Sequence, residues 1–310
     1  MLKKSKFNLF VVSFLAASCL ILYQSKFAAL EFSNSNKMGK VYAVTIHNPF
    51  NESYELTNLK NELNNLASTK PKLKVGLFYI NPNDGSYINL NAKDSFCAAS
   101  LIKLPILVSL MQCIDKGSLS LNTPLEINSS VLTGGSGYLQ WQPLGTKVSL
   151  EDTARLMITH SDNTATNMII KAIGGKEKIN FDFKVWGLQR THIANMLGDF
   201  EGTNKTSPYD LAYLLGRIDK GELVSPRSKK LMLTWLKQTR VRTLLPNVID
   251  PSHKIYHKTG DIKAMVGDAG IVENKDGSHT IIAIQVERPS NDLRANELIR
   301  TLAKVIYKND

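Results

Sequence analysis

The sequence predicts an α/β (α+β) fold: an antiparallel sheet built from both chain ends and flanked by terminal helices, with an all-helical subdomain inserted at about 117–240. Three observations predict it. Apolar runs broken by Pro/Asp/Gly turns, the mark of β-hairpins, occur near both ends of the body. Apolar residues at helical spacing dominate the middle. The 310 residues are 43% hydrophobic, enough for a sizeable core.

The start differs from the rest. Lys3, Lys4 and Lys6 precede an apolar run from Phe7 to Tyr23. A basic front and an apolar stretch read as an export signal or a membrane anchor within 1–30, with the body outside the cytoplasm, periplasmic or extracellular. Cys19 follows small residues, as at a lipoprotein cleavage site, but Ile21, Leu22 and Tyr23 continue the run past it. Residues 31–53 read as a linker and 54–310 as the folded body, expected to be monomeric.

Within the body, Leu56, Leu59, Leu63 and Leu66 predict an amphipathic helix over 54–67. Runs at 75–80 and 86–90 around Asn81-Pro-Asn-Asp-Gly85 predict a hairpin. Residues 100–115 form an apolar helix, with Pro105 suited to its first turn or to a kink. Helices follow over 150–160, 163–173, 208–218 and 228–236; Ser207-Pro208 supplies a cap and a first helical residue. A strand-like segment after Ile255, a hairpin over 264–273 and 280–286, and a helix over 295–307 complete the body.

Net charge is +11; four of those charges lie in the first 30 residues, so the remainder carries +7. That reads as a solvated basic surface suited to an anionic envelope. No basic run with interleaved aromatics points to nucleic acid, and no HExxH or Cys/His cluster points to a metal, so no cofactor is expected. Cys97 and Cys113 could pair in an oxidising compartment; they read as buried small apolar residues.

Three short elements carry chemistry. In Ser100-Leu-Ile-Lys103, a hydroxyl and an amine share one helix face inside an apolar segment. A serine hydroxyl needs a base, and a lysine serves only when burial or neighbouring cations lower its pKa. Ser161-Asp-Asn163 opens a helix and alone reads as a cap. Lys258-Thr-Gly260 alone reads as a strand end. The combination is stronger: the spacings are 61 and 97 residues, and the order SxxK, SDN, KTG is the motif set of class A β-lactamases and penicillin-binding proteins. Over about 54–307 the chain resembles that superfamily, including Gly135-Ser-Gly-Tyr-Leu-Gln140, Gly174-Gly175 and Val266-Gly-Asp-Ala-Gly270.

The resemblance implies a β-lactamase/transpeptidase-like fold and an acyl-enzyme on Ser100. It makes Lys103 the proton acceptor, Ser161 the relay to the leaving nitrogen and Lys258 the source of the local field. Asn163 would hold the substrate amide and Thr259 its carboxylate, beside Gly260 and with Arg240 or Arg242. The backbone N–H groups of Ser100 and Asp261 would form the oxyanion hole. Asp162 is expected to brace the site, and Tyr138 to line the cleft or pack.

One departure bears on turnover. The family's deacylating Glu, followed four residues later by Asn, has no counterpart in an ungapped alignment, which places Leu197 there. The loop to Pro208 is about six residues short, with Asp199 and Glu201 its only acids and Lys205 four residues after Glu201. Glu201 is the candidate base. With it, the chain would hydrolyse β-lactams as a β-lactamase; without it, the resemblance implies a D,D-peptidase or slow penicillin-binding protein acting on D-Ala-D-Ala-like peptides. A Ser-His-Asp hydrolase is disfavoured, since Gly134-Gly-Ser-Gly137 does not fit the GxSxG elbow.

Overall fold

The computed structural model describes residues 48–308. The export segment and most of the linker lie outside the described residues. Phe50, inside the segment read as a linker, packs on Phe78 with ring centroids 6.1 Å apart. The last residues of that segment are therefore part of the body.

The first elements follow the apolar spacing. Helix α1 (Thr57–Ser68) buries Leu63, but Tyr54–Glu55, expected to open that helix, form a short strand β1 instead. Strands β2 (Lys74–Ile80) and β3 (Ser86–Leu90) form the hairpin. Its turn closes with the Gly85 N–H donating to the Asn81 carbonyl at 2.9 Å. A short strand β4 (Phe96–Cys97) and a 3-10 turn (Ala99–Ile102) then enter helix α2 (Lys103–Asp115). Its residues from Lys103 to Met111 are all buried, which explains the apolar run. Pro105 lies in the first turn, where a missing N–H breaks no helical bond.

The helical middle has a small strand pair, β5 (Pro124–Glu126) with β6 (Lys147–Ser149). Helix α3 (Leu150–Thr159) is capped by Ser149, and α4 (Asn163–Ile173) by Asp162. Gly174, at φ +115°, ends α4 in the left-handed conformation that favours glycine. Helix α5 (Lys176–Val185) was not anticipated: its Lys/Glu-rich sequence buries only Ile179, Asp182 and Phe183, too few for a clear period. Strand β7 (Lys205–Thr206) pairs with β4. Helix α6 (Pro208–Asp219) begins at the Ser-Pro start. Helix α7 (Pro226–Lys237) begins earlier than its expected bound because Ser225-Pro226 repeats that start. One short turn, α8 (Leu245–Val248), precedes the final strands.

Strands β8 (Lys254–Ile262), β9 (Met265–Glu273) and β10 (His279–Glu287), then helix α9 (Arg294–Lys308), complete the chain. The six-stranded sheet runs β1-β3-β2-β10-β9-β8, uniting both chain ends. It is antiparallel except at its far edge, where β1 pairs with β3 in parallel. Both faces are covered. One packs on α1 and α9 through Leu63, Leu77, Ile284, Leu298 and Leu302; the other joins the core of the helical middle through Phe78, Ile80 and Ile281. Strand β8 is the opposite edge and lies against the turn that precedes α2. A Cβ on Gly260 would meet Leu101 Cγ at 3.0 Å and the Ala98 carbonyl oxygen at 3.2 Å. Glycine there lets β8 approach that turn. Cys97 and Cys113 are both free.

Candidate active site

Three separate elements converge on one hydroxyl. Ser100 sits in the 3-10 turn, half-buried. Lys103, the first residue of α2 and fully buried, brings its Nζ to 3.0 Å from Ser100 Oγ. Ser161 occupies the link between α3 and α4 at φ +55°, a left-handed conformation uncommon for a residue with a side chain. That twist delivers its hydroxyl to 2.7 Å from Ser100 Oγ. Lys258 reaches from β8, and its Nζ donates to Ser161 Oγ at 3.1 Å.

Electrostatics favour a neutral Lys103. Burial pushes its amine well below the usual lysine range; the charge of Lys258 pushes the same way and Asp162 opposes. Four oxygens surround the amine: the Ser161 carbonyl at 2.6 Å, Asn163 Oδ1 at 2.8 Å, Ser100 Oγ at 3.0 Å and Ser161 Oγ at 3.1 Å. The first two only accept hydrogen bonds. A neutral amine satisfies both with its two N–H groups and turns its lone pair toward the hydroxyls. Such an amine can receive the Ser100 proton. Burial also lowers Lys258, to about 7, with Asp268 opposing.

The frame around these groups is held by hydrogen bonds. Asp162, buried, caps α4 through the Ala165 N–H at 2.8 Å and accepts the Tyr138 and Leu139 N–H groups at 2.9 Å. The carboxylate braces the 133–142 loop, as anticipated on the resemblance. Gly137 gives it room: a Cβ there would lie 2.2 Å from Asp162 Cγ. The Asn163 amide is used at both ends, its Nδ2 donating to the Gly134 carbonyl at 3.0 Å.

The other expected residues lie around this centre. Thr259 and Gly260 are buried in β8, and the Thr259 carbonyl accepts from Lys258 Nζ at 2.8 Å. Asp261 is exposed near the end of β8. Tyr138 is 44% exposed, with its ring edge-on to His160. Arg240 is exposed; its backbone N–H donates to the Thr159 carbonyl at 3.1 Å. Burial lowers the His160 pKa, and the charges of Arg240 and Arg155 add to that. Arg242 is exposed as well.

The 197–204 loop bears on deacylation. Leu197 is buried, its N–H donating to Asn167 Oδ1 at 2.8 Å while Asn167 Nδ2 donates back to its carbonyl. Asp199 is spent on Thr203 and the Asn204 N–H. Glu201 is exposed and forms no hydrogen bond among the described residues. The partners of Ser100 Oγ are Lys103 and Ser161, neither of them a carboxylate.

Two groups near the site had no role assigned from the sequence. Asp268, fully buried in β9, bonds His257 Nδ1 at 2.8 Å and the Leu245 N–H at 3.1 Å. Arg288, buried just after β10, reaches Asp261. The available signal was a lone charge beside or within an apolar strand, which calls for a buried partner.

Comparison with known proteins gives the family. The family model described as "Beta-lactamase enzyme family" matches residues 58–309. The extended-spectrum β-lactamase PER-1 of Pseudomonas aeruginosa is 25% identical over 284 residues, covering 84% of this chain and 89% of that protein. The solved structure of PBP-A is 41% identical, with a TM-score of 0.83 over 84% of this chain and 98% of that one. An acyl-enzyme complex of a PBP-A mutant with penicillin G is also 41% identical, with a TM-score of 0.81 over 83% of this chain and 97% of that one.

Proposed function

Because the chain belongs to the beta-lactamase enzyme family and is a serine hydrolase of the β-lactamase and penicillin-binding protein superfamily, we propose that it acylates itself on Ser100 and releases the acyl group slowly. It then works as a D,D-peptidase or penicillin-binding enzyme rather than as a rapid β-lactamase. The carrying observation is the pairing of Ser100, bonded to Lys103, with a buried Leu197 where the ungapped alignment puts the family's deacylating Glu, while Glu201 is exposed and has no hydrogen-bond partner among the described residues. The 41% identity to PBP-A, against 25% to PER-1, supports the same reading.

The proposed steps balance. Neutral Lys103 Nζ takes the Ser100 Oγ proton as Oγ bonds to the substrate carbonyl carbon. The carbonyl π electrons move to oxygen, where the N–H groups of Ser100 and Asp261 stabilise the charge. The oxyanion collapses, the C–N bond breaks, and the leaving nitrogen takes a proton from Ser161 Oγ. Lys103 returns its proton to Ser161, leaving an ester on Ser100. Asn163, Thr259 and Gly260 hold the substrate, Lys258 supplies positive field, and Arg240 draws a carboxylate to the rim. Hydrolysis of the ester regenerates Ser100 and is slow because, among the described residues, no carboxylate bonds Ser100 Oγ to activate the water.

A time course with purified protein tests this. Fluorescent penicillin should form a stable adduct, and nitrocefin should give a burst of one equivalent followed by slow turnover. Rapid steady nitrocefin hydrolysis without adduct would return the β-lactamase reading. The basic and apolar start supports export, so the proposed site of action is the cell envelope. Fractionation should recover the protein outside the cytoplasm.

A further inference from the structure

Asp261 sets a problem of charge. On the reading just proposed, its N–H donates to the developing oxyanion, yet the same residue carries a carboxylate whose side chain is 57% exposed. A negative charge beside a forming negative charge opposes the reaction, and solvent around a half-exposed carboxylate screens it only in part. Something must cancel it.

Arg288 is placed to do so. Its side chain is only 2% exposed. Nη2 donates to Asp261 Oδ1 and, at 3.1 Å, to the Ile262 carbonyl; Nη1 donates to Asn296 Oδ1 of α9 at 2.9 Å. The Arg288 N–H fixes the backbone to the Ala264 carbonyl at 2.9 Å. One guanidinium thus ties the end of β8 to the residue after β10 and to α9. Its Nε is buried without a hydrogen-bond partner among the described residues. A buried cation with an unsatisfied donor is a costly way to gain stability alone.

The charges around the pair are few. From β8 comes Asp261. Burial raises its carboxyl pKa, and Arg288 opposes that shift. From the segment before α9 comes Asp292, whose carboxyl is held below the usual range first by Arg294 and last by Arg288. Asp292 is thus served mainly by Arg294, leaving Arg288 to Asp261. From α9 itself comes neutral Asn296.

We infer that Arg288 is a positioning residue of the oxyanion hole: it neutralises the Asp261 carboxylate and holds the end of β8, so that the Asp261 N–H can serve a negative transition state. This rests on the proposed acylation of Ser100. Arg288 touches no substrate and acts through Asp261.

The test is the second-order rate of acylation by penicillin G, measured per labelled site, as a function of pH. Arg288→Gln should be slower than the parent by about tenfold to a hundredfold at pH 8. The ratio of variant to parent should climb toward one as pH falls and Asp261 takes up a proton. Protonation of Lys103 and of Lys258 affects both proteins and cancels in that ratio. Adding Asp261→Asn to Arg288→Gln should recover most of the lost rate and flatten the ratio. An equal loss at every pH, no loss, or no rescue by Asp261→Asn overturns the inference. If Arg288→Gln does not fold, Arg288→Lys keeps the cation with a shorter reach. It should show a smaller loss of the same pH sign, and a pH-independent loss overturns the inference. If the parent is not acylated at all, the proposed function fails, and this inference with it.

Discussion

An ammonium cannot accept a proton, so the protonation of two lysines decides what Ser100 can do. Burial, and after it the charge of Lys258, push the Lys103 amine well below the usual lysine range, which favours its neutral form. Lys103→Ala should therefore slow acylation by about 10²–10⁴-fold, the usual worth of a positioned base, as read by stopped-flow labelling. Lys258, at about 7, titrates near neutrality. Its cation is present below that value and lost above it. The second-order rate with an anionic β-lactam should fall as pH rises through about 7, and a flat alkaline profile would count against a field role for Lys258. At this scale the sequence was legible wherever spacing carried information. Ser100 and Lys103 are three residues apart at a helix start, and each tripeptide is contiguous. Asp268 and Arg288 were not legible, because their partners, His257 and Asp261, lie on another strand. Only strand pairing and the closure of β10 bring those partners near.

The element that most tightly shapes the site is the 133–142 loop. It is folded around the Asp162 carboxylate by two backbone N–H groups. Gly137 has φ +96°, and a Cβ there would strike Asp162. Gly137→Ala should cost roughly 1–3 kcal/mol and slow penicillin labelling, because Asp162 also starts the helix that presents Asn163. Denaturant midpoints and labelling rates measured together check this; unchanged values in both would show that the loop is not a brace. Periodicity and Ser-Pro caps located most helices, and the hairpins fell within two residues of their observed bounds. Helix α5 was missed because a surface helix with three buried residues has almost no apolar period. The parallel β1–β3 pair was missed because a two-residue strand has no pattern.

Across the whole molecule, the sheet carries Lys258, the helical middle carries Ser161, and the turn between β4 and α2 carries Ser100. The 197–204 loop is tied to that turn, the Ala98 N–H donating to the Asn204 carbonyl at 2.8 Å. It presents Leu197 inward and Glu201 outward. Glu201→Gln should thus leave the lifetime of the penicillin adduct within about twofold, as for an exposed substitution. A much longer lifetime would restore Glu201 as the deacylation base. The resemblance over about 54–307 was visible from motif order, and the family match over 58–309 agrees. The fate of the acyl group was not legible, because it depends on how a short loop packs. The most direct measurement is intact-protein mass spectrometry after brief exposure to penicillin G, for the parent chain and for Ser100→Ala. A single persistent penicilloyl adduct on the parent, mapped to the peptide containing Ser100 and missing from Ser100→Ala, is the predicted result. An adduct that survives in Ser100→Ala, or a parent that never takes one up, would contradict the role given to Ser100.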